Sequence, residues 1–488
     1  SSQVGKPRRP PIQATRSSAA WHSRTIPSFL FPVESVLLYY NDPSLSQLMP
    51  GCRMTQQLKS RTNPAQPTGV DPMVLHLSTS DLGHGAGIAA FRIHQGLQSV
   101  GYPSRMMVNE KLSDDPFILT VASKPTDQWA RLRRDFRHLV ESGLNFSAFQ
   151  NMYSATGRAL RGHRLFREAP LIHLHNIHAH VRNIFSVCLF QHLRDRPVIW
   201  TLHDMWPLTG HCFYSFECER WLTGCGRCPH KDVYIRLLLD TTAPLFRLKR
   251  RLYRHPRLTV VAPSRWLAGI ASRSPLFEGR KVLCIPYGID TAVFHPTDPL
   301  EARRQLNLPM DGLPLVLFIA YNLNDPRKGY RFFADAISTL KKDGIDCRPV
   351  IIGRGEYFCP LKSDPLTLDL GLVTEPGRLA LVYSASNLMV IPSTQDNLPN
   401  TAMESLACGA PVLCFRTGGL PDLVRHMKTG FIVEHRETEA LARGLATLLG
   451  SPMRLIEMRQ ECRRTILAHF TQERQAADYA ALYRESVS

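Results

Sequence analysis

No apolar run in this chain approaches the ~18–20 residues that a membrane-spanning helix needs. The nearest, Ser28 to Tyr40 (SFLFPVESVLLYY), is short and is broken by Pro32 and Glu34. No small-residue cleavage site follows it closely, so it does not read as a secretory signal. Acids are few beside bases: 41 Asp and Glu against 59 Lys and Arg, a net charge of +18. That balance suits an anionic partner, whether nucleic acid, acidic membrane or phosphorylated substrate, without choosing among them. No recognised nucleic-acid module overlaps the basic runs, so nucleic acid is not expected. No Asp-x-Asp triplet occurs, and no carboxylate pair supports a double-displacement glycosidase. The twelve cysteines are scattered through a large chain. With no export signal they read as mostly reduced thiols in a cytoplasmic protein.

What is present is globular. The chain has 488 residues, 44% hydrophobic and 20% charged, enough for two or three domains with a sizeable core. Residues 1–72 read as a low-complexity tail rich in Pro, Ser, Arg and Gln, with the working protein expected to start near Met54. Beyond it, short apolar runs alternate with helical patterns, which is the signature of a parallel α/β sheet. Val74 to Leu77, Leu171 to His175, Pro197 to Leu202, Leu258 to Pro263 and Val282 to Ile285 read as strands, as do Leu315 to Ala320, Pro349 to Ile352 and Gly430 to Val433. Asp81 to Ala90 (DLGHGAGIAA) reads as a glycine-rich turn feeding a helix that ends at Gly101. Its G-x-G-x-G spacing is not the dinucleotide fingerprint G-x-G-x-x-G, so a dehydrogenase is a poor match. Residues 437–450 and 453–485 read as two amphipathic helices. Basic helices at 125–168 and the run Arg247 to Arg257 could rest on an anionic membrane; solvated helix faces are the plain alternative.

Chemistry concentrates where strands end. In PSTQDNLPNTAMESLACGAPVLCFRTGGLPD (392–422), Pro392 and Ser393 close an apolar strand, and Asp396 and Glu404 follow with seven residues between them. Asn400 and Thr401 are expected to cap a helix, Thr401 to Ala407, that carries Glu404. Thr417-Gly418-Gly419 then opens a loop whose backbone N–H groups could meet a ligand. Carboxylates accept from paired hydroxyls and bare amides take phosphate, a combination that suits a sugar nucleotide. His173, His175, His178 and His203-Asp204 also follow strand ends, where open α/β sheets bind ligands. Cys212, Cys218, Cys225 and Cys228 are spaced C-x5-C-x6-C-x2-C. Four thiols with a terminal C-x2-C could hold one tetrahedral structural zinc; disulfides or plain packing are the alternatives.

The 392–422 stretch resembles the donor-binding signature of glycosyltransferase family 4, a GT-B-fold family of retaining sugar transferases. The family frame is an acid, seven residues, then Glu, within PS…P…E-[AS]-x-A-x-G-x-P; here the first acid is Asp396 rather than the commoner Glu. Pro286-Tyr287-Gly288-Ile289-Asp290 with Phe294 and Pro296 resembles the passage that ends the family's first domain, with Tyr287 in place of Asn. The resemblance, which spans about residues 73–484, implies two Rossmann-like domains facing across a cleft. Residues 73–295 would form the acceptor side, 296–470 the nucleotide-sugar side, and 471–488 a helix packing back on the first domain. It implies that Glu404 binds the donor ribose, Lys328 neutralises the diphosphate and Asp396 holds sugar hydroxyls. Arg327 stands in for a family Arg that is Leu323 here; Asn397, Leu398, Gly418 and Gly419 also line the donor. Gly85 and Gly87 lie near the donor phosphate, and His203 lies against the sugar. The expected catalytic set is therefore His203, Lys328 and Asp396, with no cofactor required for catalysis. A Cys-rich insert occurs in a polysaccharide-biosynthesis branch of the family, here read as a loop stabiliser. The implied partners are a nucleotide-diphosphate sugar and a glycan or lipid-linked acceptor, with the protein cytoplasmic and peripheral on the inner face of a membrane. A GT-B sugar-nucleotide epimerase and a non-catalytic basic membrane- or nucleic-acid-binding protein are the competing readings.

Overall fold

The computed structural model describes residues 71–121, 160–178, 187–193, 196–231, 233, 237, 239–355, 360–434 and 437–488. The expectations for the tail and for most of the basic stretch 125–168 lie outside these residues. Near-continuous apolar runs form strands buried on both faces, as a parallel sheet covered by helices requires. The first sheet comprises β1 (Val74–Ser80), β2 (Ser104–Glu110), β3 (Ile118–Thr120), β4 (Leu171–Leu174), β5 (Val198–Thr201), β6 (Leu258–Ala262) and β7 (Lys281–Cys284), in the order β3-β2-β1-β4-β5-β6-β7. The second comprises β8 (Leu315–Asn322), β9 (Arg348–Arg354), β10 (Leu368–Asp369), β11 (Leu388–Ile391), β12 (Val412–Phe415) and β13 (Gly430–Val433), in the order β10-β9-β8-β11-β12-β13. Every strand pair in both sheets is parallel. Strand order reverses between β1 and β4 in one sheet and between β8 and β11 in the other. Those two reversals are where a crevice opens at the carboxyl ends of the strands.

The helices in chain order are α1 (Gly85–Ser99), α2 (Arg164–Glu168), α3 (Thr242–Leu252), α4 (Arg265–Arg273), α5 (Pro299–Gln305), α6 (Tyr330–Lys342), α7 (Pro376–Ala385), α8 (Asn400–Ala407), α9 (Leu420–Leu423), α10 (Thr438–Leu449), α11 (Pro452–His469) and α12 (Gln472–Val487). Two expected boundaries move. Helix α1 begins at Gly85, so Gly85 and Gly87 occupy its first turn rather than a preceding loop. Helix α8 begins at Asn400 after an extended Pro399, and Asn400 does not cap it. The helical pattern over 453–485 divides where the separate helix at 471–488 was expected: α11 ends before Phe470, and the Thr471 side chain caps α12 by accepting from the Arg474 N–H.

That break serves the architecture. The chain leaves the first domain at Ile289 and returns at Thr471, and the two crossings pair: Ile289 N–H donates to Phe470 C=O at 2.9 Å and Gln472 N–H to Ile289 C=O at 3.1 Å. Helix α12 then packs on α1, its Ala476, Tyr479 and Tyr483 sharing one core cluster with Ile93, Leu97, Leu171 and Ile199 of the first domain. A Cβ on Gly96 would stand 2.8 Å from Gln472, so the two helices cross at van der Waals contact.

Candidate active site

Lys328 and Asp396, two of the residues expected to meet the donor, come together at the reversal point of the second sheet. Lys328 lies in the loop after β8, Asp396 in the loop after β11. Asp325 caps the first loop, accepting from the Arg327 N–H at 2.9 Å. Gly329 closes it at φ +74°, where a Cβ would sit 1.9 Å from the Pro392 carbonyl oxygen. The loops therefore press directly on each other, and Lys328 Nζ reaches Asp396 Oδ2 at 2.6 Å. Arg327 stands 3.6 Å from Asp396 Oδ1, donates to the Gln395 carbonyl at 3.0 Å, and lies 4.6 Å above the Tyr214 ring. Burial alone would raise the Asp396 carboxyl; Lys328 and then Arg327 outweigh it and hold the group below the ordinary Asp range. Arg327 also pairs with Asp325 Oδ2 at 3.0 Å, so the two cations are matched by two carboxylates, and an anionic ligand would have to compete for them.

Behind Asp396 the chain is tightly layered. Gly418, at φ +54°, would place a Cβ 1.7 Å from the Asp396 carbonyl oxygen. The Gly419 N–H donates to that oxygen at 3.3 Å. These glycines are thus required by the approach of two backbones, whatever ligand they meet. Leu398 is buried in the second domain's core. Asn397 joins the domains: its Oδ1 accepts from Ser264 Oγ at 2.6 Å, and its Nδ2 donates to the His203 carbonyl at 3.1 Å.

Asn400 and Glu404 are one turn apart and share a face of α8. That face meets α1: Asn400 Nδ2 donates to the Gly85 carbonyl at 3.1 Å, and Arg92 donates to Glu404 Oε1 at 2.6 Å. Tyr383 of α7 donates to the other carboxylate oxygen at 2.9 Å. Arg92 and Tyr383 were not legible as site residues. The one signal for Arg92 was its place seven residues after Gly85 on α1, hence on the same helical face.

In the first domain the histidines form a buried chain. His76 Nδ1 lies 2.9 Å from His175 Nε2, His175 Nδ1 3.2 Å from His203 Nε2, and His203 Nδ1 2.6 Å from the Tyr287 hydroxyl. Burial holds His203 down to about 4, so its ring is neutral. Both its nitrogens are engaged, and the residue faces the second domain through its backbone carbonyl. Among the described residues, ring nitrogens of His76, His173 and His175 come within 4.8 Å of one another, a spacing that could suit a metal. Those of His175 are already bonded to His76 and His203, and those of His173 to Tyr483 at 2.6 Å and Thr201 at 2.8 Å. The cluster reads as a hydrogen-bonded core, not a metal centre.

The four expected zinc ligands lie apart from this crevice, between β5 and α3. Cys212, Cys218, Cys225 and Cys228 are all free thiols and line one cavity together with Trp221 and Thr242.

Residues 314–451 match the family described as Glycosyl transferases group 1. The WcaC protein of Escherichia coli (strain K12), named as a colanic acid biosynthesis glycosyl transferase, is 26% identical over 63% of this chain and 72% of its own length. A D-inositol 3-phosphate glycosyltransferase of Acidothermus cellulolyticus is 32% identical over 36% of this chain, which spans 42% of that relative's length. Among solved structures, sucrose-phosphate synthase from Thermosynechococcus elongatus superimposes with a TM-score of 0.60 at 19% identity, covering 85% of this chain and 98% of that one. Anabaena Alr3699/HepE, solved in complex with UDP-glucose, gives 0.55 at 15% identity over 85% of this chain and 99% of that one. The two parallel sheets of this chain form a GT-B fold, and the second lies within the residues, 314–451, that match the glycosyl transferases group 1 family.

Proposed function

We propose that this chain is a glycosyltransferase that moves a sugar from a nucleotide-diphosphate donor to a glycan or lipid-linked acceptor with retention, in polysaccharide synthesis. The observation that carries the reading is the convergence of Lys328, Arg327 and Asp396 at the reversal point of the second sheet, beside the α8 face that presents Glu404 to α1. Glu404 accepts from the donor ribose, Asp396 from sugar hydroxyls, and Lys328 with Arg327 faces the diphosphate. The relatives' names and the UDP-glucose complex of HepE favour such a donor.

In the reaction the bond between the anomeric carbon and the diphosphate oxygen breaks, and the acceptor oxygen forms a new bond to that carbon on the same face. The acceptor proton leaves with the diphosphate. Charge grows on the departing phosphate, where a compact ammonium stabilises it more in the transition state than before. His203, neutral and bonded at both nitrogens, lines the sugar end and does not move protons. Cleft contacts such as Asn397 with His203 exclude water, which matters because hydrolysis competes with transfer. Catalysis needs no cofactor, and the positive net charge suits peripheral contact with an anionic membrane on its cytoplasmic face.

A panel of UDP-, GDP-, ADP- and dTDP-sugars tests this through thermal stabilisation. One donor at about a hundred times its Kd stabilises the fold by about 2.7 kcal/mol, and Glu404→Ala abolishes the shift. No stabilisation by any of them would defeat the reading. Release of nucleotide that rises on adding acceptor separates transfer from epimerisation.

A further inference from the structure

We propose that Cys212, Cys218, Cys225 and Cys228 bind one zinc ion, and that this ion fixes one of the loops by which the first domain touches the donor side. The four thiols line a single cavity of about 20 Å³, room for one ion or one water. None is in a disulfide. Four consecutive residues have positive φ, Gly224 (+116°), Cys225 (+59°), Gly226 (+91°) and Arg227 (+49°), and the last three are the first three of the C-x2-C turn. For Cys225 and Arg227 that conformation costs on the order of 1 kcal/mol each, and a turn ligated at both cysteines offsets it. The Gly210 N–H donates to Cys225 Sγ at 3.2 Å, the kind of outer hydrogen bond that orients a ligating sulfur. Tetrahedral thiolate sets select zinc by softness and geometry. The sulfurs do not form as close a set as the imidazole trio, so binding draws the walls of the cavity inward.

The loop between the first two cysteines gives the ion its consequence. Cys212 and Cys218 bracket Tyr214 and Phe216. The Tyr214 ring lies under the Arg327 guanidinium at 4.6 Å and is stacked 6.4 Å from Trp266. The Phe216 N–H donates to Gln395 Oε1 at 3.0 Å, one residue before Asp396. A metal that ties both ends of this loop holds those two contacts in place. Neither half of the inference depends on which sugar, if any, the crevice binds.

The test is metal analysis of the full chain purified without chelator, with mass spectrometry of the unreduced protein. About one zinc per chain is expected. Cys225→Ser and Cys228→Ser should each lose it, while Cys284→Ser, outside the insert, should keep it. Zinc below about a tenth per chain, iron in its place, or a disulfide between any two of the four would overturn the site. Hydrogen exchange tests the loop and needs no variant to fold. Chelation should speed exchange about tenfold or more in both 212–218 and 393–397. Unchanged exchange in 393–397 would overturn the positioning role.

Discussion

Lys328 and Asp396 neutralise each other across the two loops of the second sheet, and a diphosphate would have to share that ammonium. Lys328→Ala should lower donor turnover about 10²- to 10³-fold, the size of effect seen when one preorganised donor to developing negative charge is removed. Lys328→Arg should recover part of it, because charge survives but the point geometry does not. Arg92 predicts a different pattern. It holds Glu404 at 2.6 Å from the first domain, so its loss frees the carboxylate that is proposed to grip the ribose. Arg92→Ala should raise the donor KM about tenfold while kcat stays within about threefold, and Arg92→Lys should restore part of the affinity. Equal losses in kcat and kcat/KM would place Arg92 in the chemistry instead. Asp396 and Glu404 could be singled out from the sequence because a strand end and a fixed spacing mark them, and Lys328 through the family resemblance. Arg92 could not: its meaning lies in a partner 312 positions away.

The loops after β8 and β11 work only if they touch, and glycine makes that contact. Gly329→Ala combines a left-handed φ of +74° with a Cβ 1.9 Å from the Pro392 carbonyl oxygen. Gly101→Ala has a similar φ of +76° with nothing within 4 Å. The second substitution should cost about 1 kcal/mol, the strain alone. The first should cost at least about 2 kcal/mol more and pull Lys328 away from Asp396; thermal unfolding of the pair of variants measures the difference. Strands were legible at this scale because a covered parallel sheet demands unbroken apolar runs. Helix starts were less so. Asn400 was expected to cap α8, yet Pro399 already fixes the extended residue before the helix and the Asn400 amide is used across the cleft. The α11–α12 break at Phe470-Thr471 carries no glycine or proline. Its sequence signal was the subtler one of Thr471 followed by Glu473 in the first turn, and the reason for the break is the pairing with Ile289.

For the molecule as a whole, the histidine-lined core of the first domain sets how stability depends on pH. His76, His173 and His175 are driven well below 6.5, and His94 and His203 to about 4, burial being the leading cause in every case. Once unfolded, the same imidazoles return to about 6.5. As pH falls through that value the unfolded chain gains protons that the folded chain refuses, so stability is complete above about pH 6.5 and drains away towards pH 4. At pH 5.5 each such histidine favours unfolding by roughly 1 kcal/mol relative to pH 8, so the set together is a substantial part of the stability of an ordinary domain. The carboxylates work in a different window: Asp396, held below its ordinary 3.8, keeps its contribution until the pH falls below that range. The melting temperature should therefore fall steeply between pH 6.5 and 5, before Asp396 titrates. A profile flat down to pH 4 would mean that the buried imidazoles accept protons in the folded state, contrary to the packing of β1, β4 and β5 around them.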